Sequence, residues 1–345
     1  MRFPTCLYLR RSFAAAIVLV LTLGAQQEAL AWGATGHRMI SRMAIETLSV
    51  DIPAFLRTST AIGMIGELGR EPDRSKGTGN SHDHDLDPGH YVNISDDFTI
   101  GGFLPLESLP PTREDYDTNL RSSGSNEYQA GYLPYAIIDG WQQLQRDFGY
   151  WRADRAAERM AKSSADRAWF ANDRRLRELI IVRDLGYWSH FVADASQPMH
   201  VSVHHDGWGD FPNPKNYGAT PGFHARFEGA FVTSHVFRKD IVKKLRPYRD
   251  CACPIQARTV DYLRDTQAQV IPMFGLEKAG AFAEDVAPGK DFVADRLAAA
   301  VSELRDLIEA AWRISAESSV GYPPVPVRDV ESGQTNPIEQ MRGRD

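Results

Sequence analysis

The sequence predicts an all-α fold, built as a single compact helical domain with long polar loops. In most segments after residue 32, apolar residues recur at the three- and four-residue spacing of an amphipathic helix. Residues 69–127 and 201–222 are polar instead, and loops of this length in a compact domain are usually functional or disordered. No internal repeat and no clear boundary marks a second domain.

The first 31 residues are typical of a secretory signal peptide. Arginines at positions 2, 10 and 11 precede an apolar stretch over 14–25, and Ala29-Leu30-Ala31 matches a cleavage site. We therefore expect residues 1–31 to be removed and the protein to be secreted or periplasmic. No later apolar run approaches the roughly 20 residues that span a bilayer, so no integral membrane span is expected.

Cleavage after Ala31 would make Trp32 the first residue of the mature chain. A free α-amine has a pKa of about 8, so it can lose its proton and bind a metal together with its own carbonyl oxygen. The bulky indole would anchor that terminus in the protein.

The predicted helices follow one another along the rest of the chain. The first begins directly after Trp32, because apolar residues at positions 40, 43, 44 and 48 lie on one helical face. Leu176–Asp194 is long and largely apolar, and Pro198 stops it. Further helices are predicted over residues 134–150, 153–171, 223–245, 254–271 and 292–316, with Gly149 separating the first two.

The end of the chain and its cysteines limit the architecture. Residues 319–345 are Pro-rich and polar, so a disordered tail is expected after one domain over 32–318. Cys6 leaves with the leader, and Cys251 and Cys253 predict either a local bridge or two idle thiols. A disulfide framework and a thiolate zinc site are excluded. The net charge of -6 does not decide the substrate, because bound divalent metals would change the local charge.

Two pairs of metal-binding side chains lie at helical spacing. His190 and Asp194 are four residues apart on a predicted helix, so both point to one face. His224 and Glu228 have the same spacing, and His200 follows the first pair after a turn. Each pair alone is more typical of a solvated helix face.

The polar loop from Asp73 to His90 adds further ligand-type residues. Together with the two pairs, and with Trp32 and His37 behind the cleavage site, it indicates a metal centre. Imidazole and carboxylate ligands without thiolate suit zinc in a hydrolytic site.

Around these residues the sequence resembles the bacterial zinc-dependent phospholipases C and the single-strand-specific zinc nucleases of the S-one/P-one type. The block H-F-x-x-D-x-x-Q-P-M-H, which begins at His190, is specific, and the resemblance extends from Trp32 to about Trp312. It implies an all-helical domain with three zinc ions in a cleft. Residues 32–318 would then be a zinc-dependent phosphodiesterase domain.

The resemblance also implies a ligand set for each zinc ion. The first ion would be held by Asp73, His90, His190 and Asp194. The second would be held by the amine and carbonyl of Trp32, by His37 and by a bridging Asp194. The third would be held by His200, His224 and Glu228. Asp83, Asp85 and Asp87 lie close to Asp73 in sequence and remain alternatives to it.

The mechanism implied by the resemblance places catalysis at Asp73, Lys76 and Asp194. A hydroxide that bridges the two zinc ions sharing Asp194 would attack phosphorus. The third ion would stabilise the leaving alkoxide, and Lys76 would bind a non-bridging oxygen.

The residues leave the substrate open. The short spacing from Trp32 to His37 and the position of Lys76 favour a nuclease acting on single-stranded DNA or RNA, with Tyr91 stacking on a base and Asn93 reading its edge. Glu228 at the end of its pair favours a phospholipase C acting on phosphatidylcholine-like lipids. An inactive secreted zinc-binding protein is a minor alternative. No obligate protein partner is inferred.

Overall fold

The computed structural model describes residues 32–76, 79, 81–218 and 221–343, and gives the backbone alone for residues 82 and 83. The predicted signal peptide, residues 1–31, lies outside these ranges. Helices dominate the described residues, so the predicted all-α class is confirmed. The helices are α1 (Gly33–Glu46), α2 (Ser59–Leu68), α3 (Glu71–Ser75), α4 (Ser81–Leu86), α5 (Arg113–Ser122), α6 (Glu127–Ala130), α7 (Leu133–Met160), α8 (Ser164–Asp194), α9 (Phe223–Ala225), α10 (Val232–His235), α11 (Arg238–Val242), α12 (Ile255–Gln267), α13 (Val270–Lys278), α14 (Val286–Ile314), α15 (Val327–Glu331) and α16 (Ile338–Arg342).

Two antiparallel strand pairs accompany these helices. Strand β1 (Thr99–Ile100) pairs with β2 (Leu104–Pro105), and β3 (Ser319–Val320) pairs with β4 (Val325–Pro326). Each strand has two residues, so the pairs are local hairpins and build no layer of their own.

The long helices α7 and α8 form an antiparallel hairpin at the centre of the molecule. The Trp188 indole near the end of α8 donates to the carbonyl of Ile137 near the start of α7, at 3.0 Å. Helices α1, α2 and α14 pack against this pair, and the main apolar core fills the space between them. The end of α8 that carries His190 and Asp194 is therefore held on a rigid scaffold.

The break predicted at Gly149 is wrong, because α7 runs without interruption from Leu133 to Met160. A Cβ at Gly149 would lie 3.2 Å from the Cβ of Ser318, so the glycine allows a close approach of the C-terminal segment. The true break falls at residues 161–163. There the Ser163 hydroxyl accepts hydrogen bonds from the backbone N–H groups of Ala165 and Asp166, at 3.1 and 3.2 Å, and starts α8.

The expected disordered tail over 319–345 is also wrong for the residues that the structure describes. Val320, Val325, Val327 and Val330 are buried in a second small core against α7 and Phe170 of α8. Four valines supply enough apolar surface to outweigh the Pro-rich composition.

Other predicted segments differ in detail. The helix predicted over 223–245 is divided into α9, a π-helical turn over Arg226–Phe231, α10 and α11. The predicted loop 69–127 contains short helices and the β1–β2 hairpin. Of the two alternatives for Cys251 and Cys253, the structure shows the local disulfide. Among the described helices, none has the length and apolar character needed to cross a bilayer.

Candidate metal centre

The start of α1 is held between the end of α8 and the π-helical turn. Trp32 is fully buried, and its indole N–H lies 3.0 Å from the carbonyl oxygen of Ala193 and 2.8 Å from the hydroxyl of Ser196. Gly33 has a φ of +48°, and a Cβ there would lie 3.2 Å from the carbonyl oxygen of Glu228. The backbone of Trp32 therefore lies beside the residues predicted to bind metal.

Asp194 is the centre of the first group of side chains. Its Oδ2 lies 3.1 Å from Nδ1 of His90 and 3.2 Å from Nε2 of His190. Its Oδ1 lies 3.4 Å from Nε2 of His37, whose ring stacks on that of His190 at 3.8 Å. The two carboxylate oxygens thus face two different sets of imidazoles, as a bridging ligand requires.

Asp73 closes this group from α3. Its Oδ1 lies 3.6 Å from Nε2 of His190 and 3.8 Å from Nδ1 of His90. Asp85 is exposed and Asp87 is half-buried, whereas Asp73 is buried. Of these three carboxylates, Asp73 is therefore the one with the burial and contacts of a ligand. The ammonium of Lys76 lies 3.2 Å from Asp73 Oδ1.

A second group forms around Glu228, which projects from the π-helical turn. Its Oε2 lies 2.7 Å from Nε2 of His224 and 3.8 Å from Nε2 of His200. The side-chain amide of Gln197 donates to the same oxygen at 3.1 Å. Turns of π-helix occur often at functional sites, and this one directs a buried carboxylate toward two imidazoles.

Among the residues that the structure describes, three sets of buried side chains have ligand atoms close enough to share an ion: His37, His190 and Asp194; Asp73, His90 and His190; and His200, His224 and Glu228. Several of their atoms are buried and lack a hydrogen-bond partner. These atoms include both nitrogens of His37, Oδ1 of Asp194, Nε2 of His200 and Oε1 of Glu228. An unsatisfied buried polar atom is costly, so this concentration fits side chains that hold metal ions.

The ring nitrogens on the far side of three imidazoles are hydrogen-bonded to backbone. Nδ1 of His190 lies 2.9 Å from the carbonyl oxygen of Gly69, and Nδ1 of His200 lies 2.7 Å from that of His90. Nδ1 of His224 lies 2.5 Å from the carbonyl oxygen of His205. Metal-binding histidines are held in this way, because the second hydrogen bond fixes the tautomer and the ring orientation.

The electrostatics favour the ligand forms of several side chains. Burial lowers the pKa values of His37 and His90, which keeps these imidazoles neutral. Burial opposes ionisation of Asp194, but the charges of His190 and His200 outweigh it and hold the Asp194 pKa well below its usual range. Burial raises the pKa of Asp73.

In the second group, burial opposes ionisation of Glu228, but His224 and His200 outweigh it and lower the Glu228 pKa. Burial also opposes protonation of His190 and His200, but the negative charge of nearby Asp194 outweighs burial and raises the pKa values of both imidazoles. A metal would take the place of these protons.

Of the residues predicted to bind substrate, Lys76 contacts Asp73 of the first group, whereas Tyr91 and Asn93 hydrogen-bond to backbone carbonyls outside both groups. The Tyr91 hydroxyl donates to the carbonyl of Tyr128 at 2.5 Å. The amide nitrogen of Asn93 donates to the carbonyl of Gln129 at 2.7 Å. The aromatic wall next to the ligands is Phe191, whose ring lies 5.4 Å from that of His90. The sequence prediction did not include Phe191, although it follows His190 directly.

The comparisons with known proteins add little to this picture. No protein-family model matches the chain, and no curated protein matches it either. Among solved structures, the chain is similar to the crystal structure of Clostridium perfringens alpha-toxin isolated from avian strain SWCP, with 13% sequence identity and a TM-score of 0.41. The match covers 85% of this chain and 68% of that chain. A function for this chain must therefore be inferred from the residues of its site.

Proposed function

We propose that this chain is a metal-dependent hydrolase of phosphodiester bonds, with zinc ions held by the three sets of side chains described above. The observation that carries the proposal is the convergence of unsatisfied, buried imidazole and carboxylate atoms in adjoining groups. Nitrogen and oxygen donors without thiolate match catalytic zinc sites. Three ions per chain and the Trp32 amine as a ligand are parts of this proposal.

When bound, zinc acts as a Lewis acid toward phosphoryl oxygens and makes water a better nucleophile at neutral pH. The chain's own residues set the geometry for this chemistry. Asp194 holds the imidazoles of His37 and His190 on its two oxygens. The Lys76 ammonium is largely buried and paired with Asp73, and in this proposal it binds a non-bridging phosphate oxygen at the same group.

We propose a phospholipid as the substrate, in preference to the nucleic acid that the sequence favoured. The amide nitrogen of Asn93, expected to read a base, is engaged by a backbone carbonyl. On α8, Leu176, Leu179 and Ile180 are 49%, 62% and 39% exposed. Helical spacing places them on the face that carries His190 and Asp194 toward the end of the same helix. These three side chains form an exposed apolar patch of about one turn, and the exposed Arg183 lies between this patch and His190. An exposed apolar patch suits a lipid surface.

The deciding experiment compares substrates with one preparation of the zinc-loaded mature protein. Phosphatidylcholine vesicles, single-stranded DNA and single-stranded RNA are each incubated with and without a chelator. Chelator-sensitive release of a phosphorylated headgroup supports the phospholipase. Cleavage of the single strands with intact vesicles would restore the nuclease, and no turnover of any phosphodiester would favour an inactive zinc-binding protein.

Export and processing belong to the same proposal. We propose that residues 1–31 are removed during secretion to the periplasm or medium and that residues 32–318 form the catalytic domain. N-terminal sequencing of the exported protein should give Trp32 first. Any other first residue would remove the amine from the proposed ligand set.

A further inference from the structure

Positive charge is concentrated in the α7–α8 hairpin at the end that lies away from the metal centre. A concavity of about 410 Å³ is lined there by Trp151, Arg155, Glu158, Arg159, Arg167 and Arg174. We name it the arginine pocket. Its four guanidinium groups come from two facing helices, although the whole chain has a net charge of -6. The pocket is therefore a positively charged site on a protein whose net charge is negative.

The protein neutralises only part of this charge. Arg174 pairs with Glu158 at 2.8 Å and with Glu178 at 2.7 Å. Among the residues that the structure describes, Arg155, Arg159 and Arg167 form no ion pair with an acidic side chain. Arg155 and Arg159 are four residues apart on α7, where like charges repel one another.

The contacts that these arginines do make leave guanidinium donors free. The Arg155 guanidinium carbon lies 5.2 Å from the Trp151 ring centroid, and Arg167 donates one bond, of 2.9 Å, to the carbonyl of Ala161. A guanidinium group has five N–H donors. Donors from both sides of the concavity are thus available to one bound anion.

We infer that the arginine pocket binds a phosphate group. Guanidinium groups match phosphate oxygens in charge and in fork geometry, and four of them line this one concavity. Arg174 and Asp194 are twenty residues apart on one helix, a separation of about 30 Å. A phosphate in the pocket is therefore out of reach of the metal centre, and its binding does not depend on the proposed hydrolysis.

The test measures binding of inorganic phosphate to the zinc-loaded protein by calorimetry. Phosphate also binds metal ions, so two classes of site are expected. At the sites that do not require zinc, Arg155→Gln/Arg159→Gln should raise the Kd for phosphate by about 100-fold. This corresponds to about 10-fold for each lost charged contact. Arg175→Gln is the matched control, since it removes one exposed charge from α8 outside the pocket.

Unfolding temperatures show whether the double variant remains folded. Without phosphate it should melt at or above the wild-type temperature, because the substitution relieves repulsion. Added phosphate should then raise the melting temperature of the wild type and of Arg175→Gln, but not that of the double variant. Wild-type phosphate affinity in the double variant would overturn the inference. Equal weakening by Arg175→Gln would overturn it too, since diffuse charge would then explain the binding.

A second arm identifies the source of the phosphate. Vesicles of phosphatidylcholine with and without phosphatidate are sedimented with Asp194→Asn protein, in which hydrolysis is expected to be blocked. Binding that needs both phosphatidate and the two arginines assigns the pocket to a lipid headgroup. Phosphate binding without vesicle binding assigns it to a free phosphate.

Discussion

Replacing Asp194 by asparagine tests whether one carboxylate joins two metal ions. The substitution keeps the shape of the side chain and removes the charge that lies within 3.1–3.4 Å of three imidazoles. The group formed by His200, His224 and Glu228 has its own carboxylate. We therefore expect the zinc content to fall from three ions per chain to one, and hydrolysis to be lost.

The loss of two ions should also lower the unfolding temperature. An ion present at 100 times its Kd stabilises the folded state by about 2.7 kcal/mol, so two ions contribute about 5.4 kcal/mol. Unfolding roughly 310 residues changes the entropy by about 0.65 kcal/mol/K. Under zinc-saturating conditions, Asp194→Asn should therefore melt about 8 °C below the wild type.

Asp147→Asn is the matched control, because Asp147 is also a buried carboxylate and pairs with Arg177 at 2.6 Å. Its loss should cost about 1.5–3 kcal/mol, or about 2–5 °C, and leave the zinc content unchanged. Zinc is measured by atomic emission and stability by calorimetry on the same samples. Three zinc ions per chain and wild-type turnover in Asp194→Asn would refute the bridging role.

Three further predictions concern the N-terminus, two histidines outside the three sets, and a buried carboxyl group. One extra residue before Trp32 should abolish most hydrolysis without unfolding the protein, and undiminished turnover in that variant would argue against the amine ligand. The double substitution His204→Ala/His205→Ala should leave the zinc content unchanged, since Nδ1 of His204 is 2.8 Å from a backbone carbonyl oxygen and neither ring belongs to the three sets. Loss of one ion would contradict this. Burial and nearby negative charge raise the folded-state pKa of Asp154 to about 8, from 3.8. The folded state then binds more protons than the unfolded state, so this group lowers stability as the pH rises from about 4 to about 8. Asp154→Asn should remove that dependence in melts across this range, and an unchanged pH profile would show that Asp154 ionises normally.

The helices could be predicted because their signal is local. Apolar spacing located α1, α12, α14 and the C-terminal end of α8 to within several residues, but placed the start of α8 twelve residues late and failed where a distant segment determines the structure. Gly149 is a helix breaker by local rules, yet the approach of Ser318 explains its presence inside α7. The valines of the C-terminal segment are buried only because α7 and Phe170 cover them.

The candidate metal ligands show the same difference between what local sequence predicts and what distant contacts determine. The pairs His190–Asp194 and His224–Glu228 are visible at helical spacing. Spacing alone could not show that Asp73 reaches His190 or that Asn93 is engaged by Gln129, since these contacts join distant elements. Resemblance to a family supplied Asp73, and nothing in the local sequence shows where the Asn93 amide is bonded.

The long core helices and the short segments that carry Asp73 and Glu228 should respond differently to loss of metal. Helices α7, α8 and α14 are joined by an apolar core, which needs no ion. Asp73 and Glu228 instead come from short elements, and each is buried beside imidazoles with which it could share an ion. Chelation should therefore leave the scaffold folded and loosen residues 71–76 and 222–231.

Amide hydrogen exchange followed by mass spectrometry measures this difference along the chain. After chelation, the two ligand segments should exchange faster, while the middle of α7 and of α14 should keep its protection. Returning zinc should reverse the change. Uniform loss of protection would mean that the ions hold the whole fold, and unchanged exchange in both segments would mean that no metal is held by them.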